Sequence, residues 1–102
     1  MSLMMTHLET LIAEWGHAKG ILPNPNKLKQ AEKTQEELDE MVEAIYANDR
    51  EAVKDAIGDQ IVTLIMQCQA WDLGLVECME AAYNEIVNRT GKMVDGQFVK
   101  DE

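Results

Sequence analysis

The sequence predicts an all-α fold: a four-helix antiparallel bundle in a single domain, ending in a short non-helical tail. Three observations carry that expectation. Apolar residues recur at the i, i+3, i+4, i+7 spacing of helices, as in Leu38, Met41, Val42 and Ile45. Both prolines, Pro23 and Pro25, fall inside one short segment that cannot continue a helix. The remaining connections are short, which favours antiparallel neighbours.

Thr6-His7-Leu8-Glu9 has the pattern of a capping box, so the first helix is expected from near Thr6, or slightly earlier, to about Lys19. Residues 1–5 read as an expression scar or a disordered start and carry no argument. Asn26 is placed to cap a second helix that runs to Tyr46 or Ala47. Asn48-Asp49-Arg50-Glu51 gives another capping-box-like signal, opening a third helix from about Arg50 to Trp71. Asp72-Leu73-Gly74 breaks it, and Leu75 to about Asn88 forms a fourth. Gly91 stands where the C-terminal glycine of a helix is expected. In the tail, residues 92–102, Asp95-Gly96 between short apolar pairs signals a two-residue hairpin.

The third helix is apolar on more than one side. Val53, Ile57, Ile61, Leu64 and Cys68 make one stripe, while Val62 and Met66 point almost opposite to it. Such a helix is central in its assembly. Three partner helices of this size cover it poorly, so a homo-oligomer, a dimer at minimum, is expected.

Composition excludes several classes of function. Nine Lys+Arg against nineteen Asp+Glu give a net charge of −10, which argues against a nucleic-acid polymer as partner. At 46% hydrophobic the chain is too apolar to be disordered. Its longest apolar run, Ile61 to Met66, is far short of a membrane span. No cationic leader precedes an apolar segment, so a cytoplasmic protein is expected. Cys68 and Cys78 are too few for a disulfide framework and read as buried thiols.

Candidate chemistry lies in the acids. In Glu36-Glu37-Leu38-Asp39-Glu40, Glu36 and Glu40 lie within about 40° of each other on the helix, and Glu37 about 60° beyond Glu40. Alone, this run is most simply a solvated face. On the third helix Asp55 and Asp59 share a face with Val62 and Met66, at the mouth of an apolar strip, with Gly58 beside them. Carboxylates crowded there must stay wet, pair with a base or bind a metal. Oxygen donors suit Mg²⁺, or Mn²⁺ in its place, better than zinc. A Mg²⁺ site with few protein ligands completes its shell with water and phosphates, which makes phosphoanhydride hydrolysis the natural reaction.

Glu36-Glu37-Leu38-Asp39-Glu40 followed by Gly58-Asp59 resembles the EExxE…ExxD signature of the all-α nucleoside triphosphate pyrophosphohydrolases, MazG-like branch. Trp15, Lys33 and the run from Tyr83 to Lys92 agree, and the tail Gly91 to Lys100 looks like that of short, phage-type members. The resemblance implies cleavage of a (d)NTP to the monophosphate and pyrophosphate, with Mg²⁺ held by acids of two central helices in a dimer or tetramer. Carried over, Glu37 and Glu40 match metal ligands, Glu36 an adjacent ligand or water-orienting base, and Asp59 the final Asp of the signature. Position 56 holds Ala56 where the family has Glu, and Asp55 is the candidate substitute. Asn84, Asn88, Arg89 and Lys92 fall where the family places residues near phosphates or base. Trp15 is a candidate to stack a nucleobase, with core or interface packing the plainer role, and Lys33 a candidate to touch phosphate. Two other readings stand beside this one. The first is a non-catalytic acidic helical module that binds a protein partner through its apolar faces. The second, divalent-cation storage, leaves the basic C-terminal residues without a role.

Overall fold

The computed structural model describes residues 2–102. The protein is all-α apart from its tail: α1 (Ser2–Ala18), α2 (Lys27–Tyr46), α3 (Arg50–Ala70) and α4 (Leu75–Ile86) precede β1 (Gly91–Val94) and β2 (Gln97–Lys100). Local chemistry sets most boundaries. The Asn26 side chain accepts from the Lys29 backbone N–H at 3.0 Å and starts α2. Asp49 does the same for Ala52 at 3.1 Å and starts α3 at Arg50, where the sequence places it. Asn48, with φ of 53°, makes the tight turn ahead of it. Glu77 accepts from the Gly74 N–H at 3.1 Å and ties down the start of α4.

Two boundary expectations are corrected. Thr6 is not a cap: α1 begins at Ser2, so Ser2–Met5 form its first turn, and Met1 lies outside the described residues. Inside the helix, the Thr6 carbonyl instead accepts from the Thr10 hydroxyl at 3.0 Å. Gly91 does not end a helix either. α4 stops at Ile86 with Val87 as its cap, and Gly91 opens β1. A side chain there would meet Phe98 and the backbone of β2. Lys92 pairs with Val99, Met93 with Phe98 and Val94 with Gln97 across the hairpin. Asp95 (φ 49°) and Gly96 (φ 82°) form the turn, as that dipeptide predicts.

The long α2–α3 antiparallel pair is the body of the fold, and α1 and α4 lie against α3 and each other. Hydrogen bonds fix the pair along its length. The Thr34 and Thr63 hydroxyls meet at 2.7 Å, and Gln67 donates to the Lys27 carbonyl at 2.8 Å. At that same end the Lys27 ammonium stands 3.8 Å from the centre of the Trp71 ring. The dry core is small: Leu22, Ile65 and Met66, with Ile12, Ala13, Ile21 and Leu75 against it. Cys68 is buried and Cys78 half-buried, both free, with their sulfurs 3.9 Å apart. Burial, then the neighbouring thiol, pushes the Cys68 thiol up to about 11. No helix among the described residues is long and apolar enough to cross a membrane.

Much apolar surface stays uncovered. The chain exposes 8053 Å², against about 5,800 Å² for a compact protein of 11.5 kDa. Its radius of gyration is 15.8 Å, where about 13 Å is usual for this length. Ile57, Ile61 and Leu64 of α3 and Val42 and Ile45 of α2 are all exposed. Of the α3 stripe read from the sequence, Ile57, Ile61 and Leu64 are on the outer face of the helix pair, while Cys68 is buried and Val53 half-buried.

Two glycines separate packing from propensity. A side chain at Gly16 would come within 2.7 Å of the Met66 sulfur and 3.1 Å of Leu22, whereas Gly58 faces open space. Gly16→Val is expected to lower stability by about 1–3 kcal/mol through overpacking. Gly58→Ala is expected to raise it by up to about 1 kcal/mol through helix propensity. Thermal unfolding followed by circular dichroism reads both.

Candidate functional site

Capping at Asn26 and the Thr34–Thr63 hydroxyl pair fix how α2 faces α3, and so which acids meet. Glu37 of α2 turns inward. Its Oε2 is shut off from solvent and has no hydrogen-bond partner. Glu40, one turn on, and Asp59, across on α3, are its acidic neighbours. The hydrogen bond shared with Glu40, then burial, then repulsion from Glu40 and Asp59, raise the Glu37 carboxyl above its ordinary range, against the pull of Lys33. Glu36, its neighbour in sequence, accepts from Lys33 Nζ at 3.1 Å. That contact and the Glu36 charge raise the Lys33 ammonium, with smaller help from Glu37 and Glu40.

Lys33, Glu36, Glu37 and Asp59 open into a cavity of about 620 Å³ between α1, α2 and α3, while Glu40 neighbours Glu37 without lining it. Trp15, Ile21, Val62 and Met66 form its apolar walls, and Lys29, Lys33, Glu32, Glu36, Glu37 and Asp59 its charged rim. The volume falls in the range of small-ligand sites. Trp15 and Lys33 line the same cavity as Glu36, Glu37 and Asp59, with Val62 and Met66 on its apolar side. Lys29, paired with Glu32 at 3.2 Å, joins Lys33 on the rim.

Other expected residues are elsewhere. Asp55 lies in a neighbouring cavity of about 770 Å³ with Asp49, Lys54 and Gly58, and of the named acids only Asp59 borders both cavities. Asp55 thus does not face Glu36 and Glu37, because the helical turn that aligns it with Asp59 also carries it toward Ile12 of α1. Ala56, where the family has Glu, is buried and its carbonyl accepts from Gln60 Nε2 at 3.2 Å. Asn84 lines a separate small cavity on α4 with Tyr83 and Met79. Asn88, Arg89 and Lys92 are exposed beyond α4 and line neither acidic cavity.

The donor set is all oxygen, which fits a hard cation, and the unpartnered Glu37 oxygen is a lone pair in want of one. Among the described residues, no three acidic, His or Cys side chains stand close enough to be a ready-made metal cluster. Gln30 and Thr63, also on the cavity wall, went unnoticed in the sequence. Thr63 had one signal, a hydroxyl inside the apolar run from Ile61 to Met66. Comparison of the chain with protein-family models, curated proteins and solved structures gives no match.

The raised Glu37 carboxyl has a consequence for stability. A carboxyl that holds its proton more tightly when folded supports the fold at low pH, and that support is lost as pH rises through its raised value. Glu37→Gln is therefore expected to melt higher than wild type in chelator near pH 7.5, with the gap closing near pH 4. Thermal melts at the two pH values check the sign.

Proposed function

We propose that this chain is a Mg²⁺-dependent nucleoside triphosphate pyrophosphohydrolase, converting a (d)NTP and water to the (d)NMP and pyrophosphate. The observation that carries the reading is the half-buried Glu37 carboxylate, one oxygen unpartnered, beside Glu40 and Asp59 at the mouth of a cavity rimmed by two lysines. The likeness of Glu36–Glu40 and Gly58-Asp59 to the family signature supports it. Glu37, Glu40 and Asp59 would hold the cation. A Mg²⁺ ion held by them would supply the chemistry of polarising phosphoryl oxygens and acidifying water.

The chain's own groups divide the remaining work. Glu36, held by Lys33, sits beside the metal ligands as the base that orients the attacking water. Lys33 and Lys29 exchange their carboxylate partners for phosphate oxygens when a triphosphate enters. Trp15 offers a ring face on the cavity wall for a nucleobase. Asn84, Asn88, Arg89 and Lys92 have no part in this cavity of the single chain, so phosphate recognition falls to the α2 lysines. Asp55, which lines the neighbouring cavity, is left out of this ligand set.

The uncovered helix-pair face supports a homo-oligomer. An excess of roughly 2,200 Å² over a compact monomer is more than the approximately 800 Å² per partner that a standard interface needs. Light scattering at micromolar concentration is expected to return a multiple of 11.5 kDa.

The competing reading, a non-catalytic module that binds a protein partner, draws on buried Ala56 in place of an acid. One assay separates them. With Mg²⁺, a panel of dNTPs and NTPs is expected to release pyrophosphate, and Glu40→Gln to reduce turnover by about 10² or more while circular dichroism stays unchanged. No release from any nucleotide at saturating Mg²⁺ supports the binding module.

A further inference from the structure

The hairpin is a folded arm with nothing of its own chain to rest on. Its shape is fixed by the Asp95-Gly96 turn and by the Phe98 ring set over Gly91. Its base is closed where the Thr90 hydroxyl donates to Asp101 at 2.8 Å and the Asp101 N–H to the Thr90 carbonyl at 3.0 Å. Yet neither strand contacts any of the four helices among the described residues. Met93 (66% exposed) and Phe98 (53% exposed) are directly paired, so they form one apolar face in water. A lone two-stranded hairpin is marginal in water and needs a surface to pack on.

That surface is present on α4. Met5, Val76, Met79 and Tyr83 line a groove of about 310 Å³, with Glu80 at its edge. The arm leaves the far end of α4 and does not fold back onto this groove. Charge does not oppose the fit: the segment 87–102 carries Arg89, Lys92 and Lys100 against Asp95, Asp101 and Glu102, so the arm is neutral while the rest of the chain holds the whole net charge of −10. Lys100 lies on the same face as Phe98, two residues along the strand.

We propose that the hairpin docks on a second copy of this chain, Met93 and Phe98 filling the α4 groove of that copy and Lys100 meeting Glu80. A two-fold axis beside α4 makes the exchange reciprocal: each copy donates its own arm and receives that of its partner. Met93 and Phe98 of the arm and Met79 and Tyr83 of the groove, all exposed, contribute to the surface in excess of a compact monomer, and the clasp would cover that part of it. The proposal rests on the oligomeric part of the reading above and is independent of catalysis.

The test mixes ¹⁴N- and ¹⁵N-labelled full-length chains, couples ammonium to carboxylate with a zero-length carbodiimide, and analyses the joined peptides by mass spectrometry. Lys100–Glu80 peptides are expected, with mixed-isotope pairs as abundant as same-isotope pairs. Phe98→Asp is expected to cut that yield by about tenfold or more with helical circular dichroism intact. Glu80→Lys is expected to abolish the joined peptide and to restore it when combined with Lys100→Glu. Same-isotope pairs alone would mean that the arm closes on its own chain and would overturn the proposal. An oligomer whose mass and cross-links survive Phe98→Asp overturns the clasp and leaves the oligomer standing, whereas a wild-type monomer overturns both.

Discussion

Glu37 places an oxygen where neither water nor a donor reaches it, and sets its carboxyl against two others. The hydrogen bond with Glu40, the closed-off oxygen and the two acidic neighbours together disfavour the charged form of this half-exposed carboxyl. The elements around it hold the arrangement in place. Asn26 sets the start of α2, the Thr34–Thr63 contact fixes the facing of α2 on α3, and Gly16 lets α1 approach Met66 to close the cavity wall. A proton relieves the strain in the metal-free protein, and a hard cation relieves it with more charge. Lys33 cannot do so alone, because it already serves Glu36.

The second constraint is surface. A helix pair that is apolar on both sides, topped by a small core of Leu22, Ile65 and Met66, leaves Ile57, Ile61, Leu64, Val42 and Ile45 in water. The same shortage of cover applies to the hairpin. Both follow from one cause: 102 residues in four helices cannot wrap an apolar central helix. The proposed association of copies would meet both shortages together.

What the sequence made legible was whatever depends on neighbours along the chain. Asn26 caps because its side chain reaches three residues ahead, and Asp95-Gly96 turns because both residues tolerate positive φ. Periodicity likewise placed Glu37, Asp59, Val62 and Met66 on facing sides of two helices. Thr6 misled because a capping box and an interior turn share the same letters, and the helix had begun earlier. Asp55 misled because a helical face is wide, and Asp59 sits on the ridge dividing two cavities. Arg89 and Lys92 were displaced because the direction a chain takes after its last helix is set by packing, not by spacing. Gly16 gave no local sign, since its reason lies across the core in Met66.

The central claim is that Glu37, Glu40 and Asp59 act as one cation site. Carboxyl ¹³C NMR of the full chain during a Mg²⁺ titration at fixed pH addresses it directly. The account predicts that the side-chain carboxyl signals of these three residues move together along a single saturating curve, while Asp55 stays still. Small, non-saturating shifts spread evenly over all surface acids would contradict it.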